Sequence, residues 1–297
     1  MRQEHVYQAI RGLNEEGRAS ISRLCDIAGI PRSSYYKWLH REPPEDERVN
    51  EAIAEAIKSI HDEDPTKGYR RIRDDLARDY GFRVSDNRVL RICRYLNIKS
   101  TVKYRPAGCT ISDKNPQHIA ENVLNRDFHA DRPNDKWVTD VTEFKYYEDG
   151  EKRKVYLSAI LDLYDRRIVS YVIGDSNNNP LVFETFDKAV ARNPDAHPLF
   201  HSDRGFQYTS NVFHQKLVDH GMVQSMSRVG KCTDNGPMEG FWGILKRERY
   251  YKHRFTSREE VVRMITNYID YYNSKRYQRK LGILTPAEKY TQYMLAA

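Results

Sequence analysis

The spacing of apolar residues changes once along this chain, near Pro133. That change restricts the fold to a helical leader followed by a mixed layer of strands and helices. Before it, apolar positions recur every three or four residues. Val6, Ile10 and Leu13 form one stripe, which Gly17 stops. Ser20 is placed to cap a second helix bearing Ile21, Leu24 and Ile27. Ala28-Gly29-Ile30 reads as a tight turn, and Pro31 suits the first turn of a helix through Tyr35, Tyr36, Trp38 and Leu39. Two short helices about a glycine turn make a helix-turn-helix pattern, with a plain helical hairpin as the alternative. The second helix carries Arg32, Ser33, Ser34, Tyr35 and Lys37, side chains suited to phosphates and base edges in a major groove.

The run Glu42-Pro43-Pro44-Glu45-Asp46-Glu47 reads as a linker. A second helical unit follows, with stripes Ile53, Ile57, Ile60, then Ile72, Leu76, Tyr80, then Val89, Ile92, Cys93, Leu96 behind a Ser85 cap. Arg70, Arg71, Arg73, Arg88, Arg91 and Arg94, continued by Lys99, Lys103 and Arg105, outnumber the nearby carboxylates. They suggest a phosphate-contacting surface, the alternative being a solvated face. From Pro106 no periodicity is visible, so that stretch reads as an extended connector.

After Pro133 the texture is β-rich. Trp137 to Phe144, the alternating Val155, Leu157, Ala159 and Leu161, and Ile168 to Ile173 predict an antiparallel meander. A helix over 180–192, a short strand ending at Asp203, a helix capped by Ser210, a strand over 222–226 and a helix opened by Asn235-Gly236-Pro237 complete an α/β layer fold. Asp140 falls inside the first strand, Asp203 at the end of the fourth, and Glu239 in the first turn of the last helix. An acid inside an apolar strand is costly to bury unless it is paired or metal-bound. Each acid taken singly fits a surface carboxylate or a cap as well. Together, three oxygen donors suit hard Mg2+ or Mn2+, and two such ions support in-line displacement at phosphorus.

The formal charge of +7 over 297 residues favours a polyanionic partner only modestly. No apolar run reaches the roughly 18 residues of a membrane span, and the start lacks a leader pattern. A cytoplasmic protein is expected, with Cys25, Cys93, Cys109 and Cys232 as reduced thiols.

Context and spacing sharpen the reading. Asp140 lies in Trp-Val-Thr-Asp-Val-Thr-Glu-Phe, Asp203 in His-Ser-Asp-Arg-Gly-Phe-Gln-Tyr-Thr-Ser, and Glu239 in Asp-Asn-Gly-Pro-Met-Glu-Gly-Phe-Trp-Gly-Ile-Leu-Lys, with 35 residues between the last two acids. The chain resembles the DDE transposase and retroviral-integrase superfamily, most closely the OrfB product of the insertion-sequence-three family. The likeness runs from the Ser-Ser-Tyr-Tyr-Lys-Trp-Leu helix to the late Leu-Thr-Pro-Ala-Glu. It implies a ribonuclease-H-like core whose metal-binding catalytic triad is Asp140, Asp203 and Glu239, with Lys246 at a basic position the family keeps after its Glu. Helical spacing independently puts Lys246 about two turns beyond Glu239 on the same face, able to hold a DNA phosphate. Gly240 departs from the family, which has a small polar or larger residue there, with little chemical consequence expected.

Arg204, Gln207 and Tyr208 follow Asp203 and are expected to line the DNA path, whereas His201 is expected to be a hydrogen-bonded structural histidine. The basic, tyrosine-bearing stretches 246–254 and 271–280 suit phosphate and base contact. The expected organisation is a helix-turn-helix unit over 1–42, a second such unit over 43–105, a connector over 106–132, the catalytic core over 133–250 and a basic helical extension over 251–297. The resemblance implies DNA strand cleavage and transfer at terminal inverted repeats, by a homo-oligomer on DNA with a companion OrfA product. Bound to DNA, the protein would sit with the bacterial nucleoid. The rivals are a nuclease that hydrolyses without joining and a DNA-binding regulator with an inert core.

Overall fold

In the computed structural model, residues 4–42, 44–102, 117–251 and 253–296 are described. Pro43, Lys103, Arg105, Cys109 and the first part of the expected connector lie outside them. By compactness the chain divides into residues 1–56 and 57–297.

In the first unit, α1 (Glu4–Glu15), α2 (Ile21–Ala28) and α3 (Arg32–Leu39) surround a small core of Tyr7, Ile10, Leu24, Cys25, Ile30 and Tyr35. The Ser20 hydroxyl caps α2 by accepting from the Arg23 N–H. Gly29 ends it at φ +65°, a conformation that side chains with a Cβ take only at a cost. The predicted turn between the helices is therefore present. Tyr35 corrects an expectation: it is 1% exposed, with Trp38 at 5.9 Å between ring centroids, so it fills the core and cannot reach a base. A helix of eight residues must bury one face, and Tyr35 lies on it. Arg32, Ser33 and Lys37 are exposed, and Ser34 is half-buried.

Helix α4 (Glu45–Glu63) spans the division. In the second unit it is followed by α5 (Tyr69–Asp79) and α6 (Asp86–Tyr95), with Ile57, Ile60, Ile72, Leu76, Val89, Ile92 and Cys93 all buried. Tyr80, assigned to the α5 stripe, is instead exposed, just beyond the helix end.

The sheet has five strands in the order β3-β2-β1-β4-β5: β1 (Lys136–Glu148), β2 (Glu151–Asp162), β3 (Ile168–Gly174), β4 (Leu199–Ser202) and β5 (Val223–Met226). The first three form the expected antiparallel meander. Asp149 and Gly150 turn β1 into β2, both at positive φ, as a two-residue hairpin loop needs. β4 pairs parallel with β1 and β5 parallel with β4, giving the mixed sheet of a ribonuclease-H-like fold.

Alternation along β1 divides the core. Val138, Phe144 and Tyr146 pack with α9 (Gly236–Leu245) and α10 (Arg258–Ser274), through Phe241, Leu245, Ile265 and Ile269. Trp137 faces the other side, with Phe186 of α7 (Asn179–Arg192) and Phe213 of α8 (Asn211–Asp219). Asp140 shares the parity of Val138 and so emerges toward α9. The chain ends in α11 (Pro286–Ala296). No helix among the described residues is long and apolar enough to cross a membrane.

At its end α9 widens into a π-helical turn, Lys246–Tyr250. Within it Glu248 is only 7% exposed and accepts from Arg71, Arg276 and the Tyr268 hydroxyl, each at 2.9 Å. Arg249 reaches Asp64 at 3.3 Å, and Arg279 holds buried Asp74 at 2.9 Å. These pairs correct two expectations. Arg71 is half-buried and committed to protein carboxylates rather than to DNA, while Arg70 stays exposed. The 271–280 stretch likewise spends Arg276 and Arg279 on internal acids, because a buried carboxylate needs a cation more than the surface does.

Breaking a buried pair from one side leaves charge unpaired. Glu248→Leu should therefore lower stability by about 3–5 kcal/mol, read from the urea midpoint. An unchanged midpoint would mean that the network adds no stability.

Candidate active site

The register of β1 against β4 explains how two of the three acids meet. Val138 is opposite His201, so two residues further on Asp140 and Asp203 leave the parallel ladder side by side. Glu239 enters from α9, whose apolar side lies over the same face of β1. The three acids expected from sequence therefore come from β1, the end of β4 and the first turn of α9.

Their electrostatics show that they feel one another. Burial, then the charge of Asp203, pushes the Asp140 carboxyl up to about 8; the Val141 N–H and the Trp242 indole oppose this, and Glu239 adds to it. Burial also raises Asp203, against the Gly205 N–H, which donates to its Oδ1 at 2.8 Å. Glu239 is exposed on its outer side, and burial of the remainder, followed by Asp203, raises it too.

Lys246 is half-buried at the mouth of the π-helical turn, with its Nζ 5.2 Å from the centre of the Phe144 ring. Burial lowers its proton affinity, while Asp140 and Glu143 draw it back up. Arg204, expected in the DNA path, is half-buried and donates from Nε to the Ser227 carbonyl at 2.9 Å. Gln207 and Tyr208 correct their expectation: at 3% and 1% exposed they lie beneath the site. The Tyr208 hydroxyl is 3.2 Å from Thr139 Oγ1. His201 is fully buried between the Ser225 and Ser227 hydroxyls, at 2.8 and 3.1 Å. Gly240 meets nothing where a Cβ would stand, so its departure from the family pattern has no packing consequence.

Sequence reasoning missed the residues that hold the acids in place. The Trp242 indole N–H donates to Asp140 Oδ2 at 3.0 Å, and the Asn235 amide donates to the Thr139 carbonyl at 2.9 Å. Fully buried Asp234, beside it, accepts from Arg228 Nε at 2.8 Å and Arg126 Nε at 2.6 Å, which pins the loop leading into α9. Gly205 is needed for close approach: a Cβ there would lie 3.0 Å from Asp203 Oδ1. A signal for Trp242 was available, since a donor three residues after Glu239 shares its helix flank.

The donor set fits a divalent cation in its chemistry. Burial raises the proton affinity of all three carboxyls, the charge of Asp203 raises that of Asp140 and Glu239 further, and added positive charge offsets both effects. As they stand, no group of three or more His, Cys, Asp or Glu among the described residues is drawn close enough to hold a metal ion.

Comparison with known proteins puts this geometry in context. Residues 130–232 match the model of an integrase core domain, residues 220–286 a second model of that description, and residues 48–106 an HTH-like domain. The putative transposase InsK for insertion sequence element IS150 of Escherichia coli (strain K12) is 38% identical over 273 residues, 90% of this chain and 92% of that protein. A 31 kDa protein of insertion element IS600 from Shigella sonnei is 35% identical over 275 residues, 91% of this chain and 99% of its own. The HTLV-2 integrase catalytic core domain, solved in complex with magnesium, matches at TM-score 0.42 and 18% identity, over 55% of this chain and 99% of that one.

A carboxyl raised in the fold from 3.8 to about 8 contributes stability that is full below about pH 4 and is lost as pH rises through about 8. Asp140→Asn has no such titration. In EDTA its stability relative to the parent should rise steadily from pH 5 to pH 8.5, by at most about 1.4 kcal/mol per pH unit. Urea melts at several pH values test this, and a pH-independent difference would contradict the assignment.

Proposed function

Because the chain belongs to the insertion-sequence-three family of transposases with an integrase core, we propose that it cuts and joins DNA strands by in-line phosphoryl transfer at Asp140, Asp203 and Glu239. The observation that carries this reading is the convergence of three acids from three separate elements: the β1–β4 register sets Asp140 beside Asp203, and Trp242, three residues after Glu239 on α9, reaches Asp140 Oδ2 at 3.0 Å. A structural role gives no reason to gather them. When bound there, Mg2+ or Mn2+, as a pair of ions, supplies Lewis-acid stabilisation of the attacking and leaving oxygens.

The chain's own residues supply the rest. Asp140 and Asp203, fixed by adjacent strands, and Glu239, fixed by α9, present the oxygen ligands. Lys246 steadies a DNA phosphate beside them. In the first step one strand is hydrolysed: water forms a new P–O bond, the bond to the 3′ oxygen breaks, and that oxygen leaves as a 3′-hydroxyl. In the second the 3′-hydroxyl attacks another phosphodiester, making one P–O bond as one breaks, so no covalent link to the protein is needed.

DNA ends are read by the helical units, expected over 1–42 and 43–105. In the first, Arg32, Ser33, Ser34 and Lys37 remain available. In the second, α6 turns Asn87, Arg91, Arg94 and Tyr95 to solvent while burying Val89, Ile92 and Cys93. Exposed Arg70 lies on neighbouring α5, and Arg204 flanks the acids. Terminal inverted repeats and target DNA are the partners in this reading, with a homo-oligomer as the acting form and an OrfA product as companion. The work takes place on the bacterial nucleoid.

Two experiments test it. On labelled DNA carrying the element's ends, with Mg2+, the protein should give joined as well as cleaved products. Asp203→Asn should cut both by at least about 100-fold while end binding persists. Cleavage without joining would establish the nuclease, and binding without breakage the regulator. Replacing Arg91 and Arg94 together by Ala should weaken end binding and flatten its dependence on log salt by about one unit for each phosphate no longer neutralised. An unchanged slope would move DNA recognition off α6.

A further inference from the structure

Helix α9 carries Glu239, and three residues later it carries Trp242, which is 6% exposed and packed at 5.1 Å between ring centroids against Phe241. The Trp242 indole nitrogen is 3.0 Å from Asp140 Oδ2. One turn before Glu239, the Asn235 amide donates to the backbone carbonyl of Thr139, the residue before Asp140. The helix and its opening residue therefore supply one of the three acids and reach across, at two points, to the strand bearing another.

We propose that Trp242 is a positioning residue: its indole N–H takes Asp140 Oδ2 and holds the carboxylate in the orientation in which it would help hold a divalent cation. This deepens the reading of the triad and rests on it. The physical argument is rotational. A terminal carboxylate turns about a broad, nearly two-fold torsion; the Val141 N–H alone would leave Asp140 freer to exchange its two oxygens, and the indole adds the side-chain donor that fixes which one is taken. An indole has one donor and no acceptor, so it can take one oxygen and never compete as a ligand. The tight packing of the ring against Phe241 lets it hold that oxygen without itself reorienting. A phenylalanine would fill nearly the same space without the N–H. Outer partners of this kind commonly change metal affinity by about 10–100-fold.

The test uses the full chain and Mn2+ alone, with free Mn2+ followed by its paramagnetic resonance signal. Trp242→Phe should weaken Mn2+ binding by about tenfold or more, while thermal stability and binding to end DNA stay close to the parent. In strand cleavage its defect should shrink as Mn2+ is raised, because orientation is lost and the ligands are not. Asn235→Asp, which keeps the size but replaces the amide donor to the Thr139 carbonyl, gives a second variant with the same expected signature, should the first fold poorly. Native Mn2+ affinity in both well-folded variants would overturn the proposal. So would a cleavage defect that saturating Mn2+ leaves unchanged, since that would mark simple packing damage. Asp140→Asn separates the two levels of inference. If it still cleaves DNA, the triad reading itself fails. If it is inactive while Trp242→Phe binds Mn2+ normally, only the role of Trp242 fails.

Discussion

Burial, joined for Asp140 and Glu239 by the charge of Asp203, opposes ionising these three carboxyls side by side, and that cost is what the surrounding architecture must overcome. The fold does so with rigid parts. β1 is hydrogen-bonded on both edges, antiparallel to β2 and parallel to β4. Asp140 cannot back away without breaking the sheet at its centre. Asp203 leaves a strand that is itself held between β1 and β5, and its carboxylate is bound by the Gly205 N–H. Glu239 rides a helix fixed by Met238, Phe241 and Leu245 in the core. The site is therefore stressed electrostatically and braced by packing, an arrangement that suits a centre whose charge is to be met by cations and a phosphodiester.

Positive charge is allocated unevenly, and the allocation separates arginines bound to internal acids from those left on the surface. Arg71, Arg276 and Arg279 serve the buried acids Glu248 and Asp74, and Arg126 and Arg228 serve Asp234. Each such pair costs desolvation, and its effect is to fix geometry around the elements that carry the site. Other cations stand on outward faces, among them Arg32 and Lys37 on α3, Arg70 on α5, and Arg91 and Arg94 on α6. The modest net charge of the whole chain thus understates the contrast between its interior and its outer helical faces.

Much of this was legible in the sequence because periodicity reports burial directly. The change of spacing near Pro133 located the sheet, and the β1–β2 turn, the Ser20 and Ser85 caps and the Gly29 turn all stand where local chemistry put them. The elements that carry Asp140, Asp203 and Glu239, namely β1, the end of β4 and the first turn of α9, were also legible. Side-chain commitments were not, since they depend on elements distant in sequence. Arg71 looked like surface charge because its acceptor, Glu248, is 177 residues away. Tyr35 looked like a DNA contact because its type suits one, yet a three-helix core too small for waste needed its ring. Asn235 read only as a helix opener, although its amide also ties α9 to β1.

The π-helical turn after α9 links these themes. Lys246 and Glu248 are two residues apart and point to roughly opposite flanks of that turn. Lys246 lies over Phe144 of β1 and feels the charge of Asp140, while Glu248 is gripped by Arg71 of α5 and by Tyr268 and Arg276 from the α10 side. One short segment thus presents a cation on the side of β1 and buries a carboxylate among the helices on the other. α5 packs directly on α6, and three ion pairs, Arg71–Glu248, Arg249–Asp64 and Arg279–Asp74, tie this helical unit to the π-helical turn and to the segment after α10. A shift of α5 relative to the sheet would have to break these pairs, so the helical unit and the turn that carries Lys246 are held as one packed body.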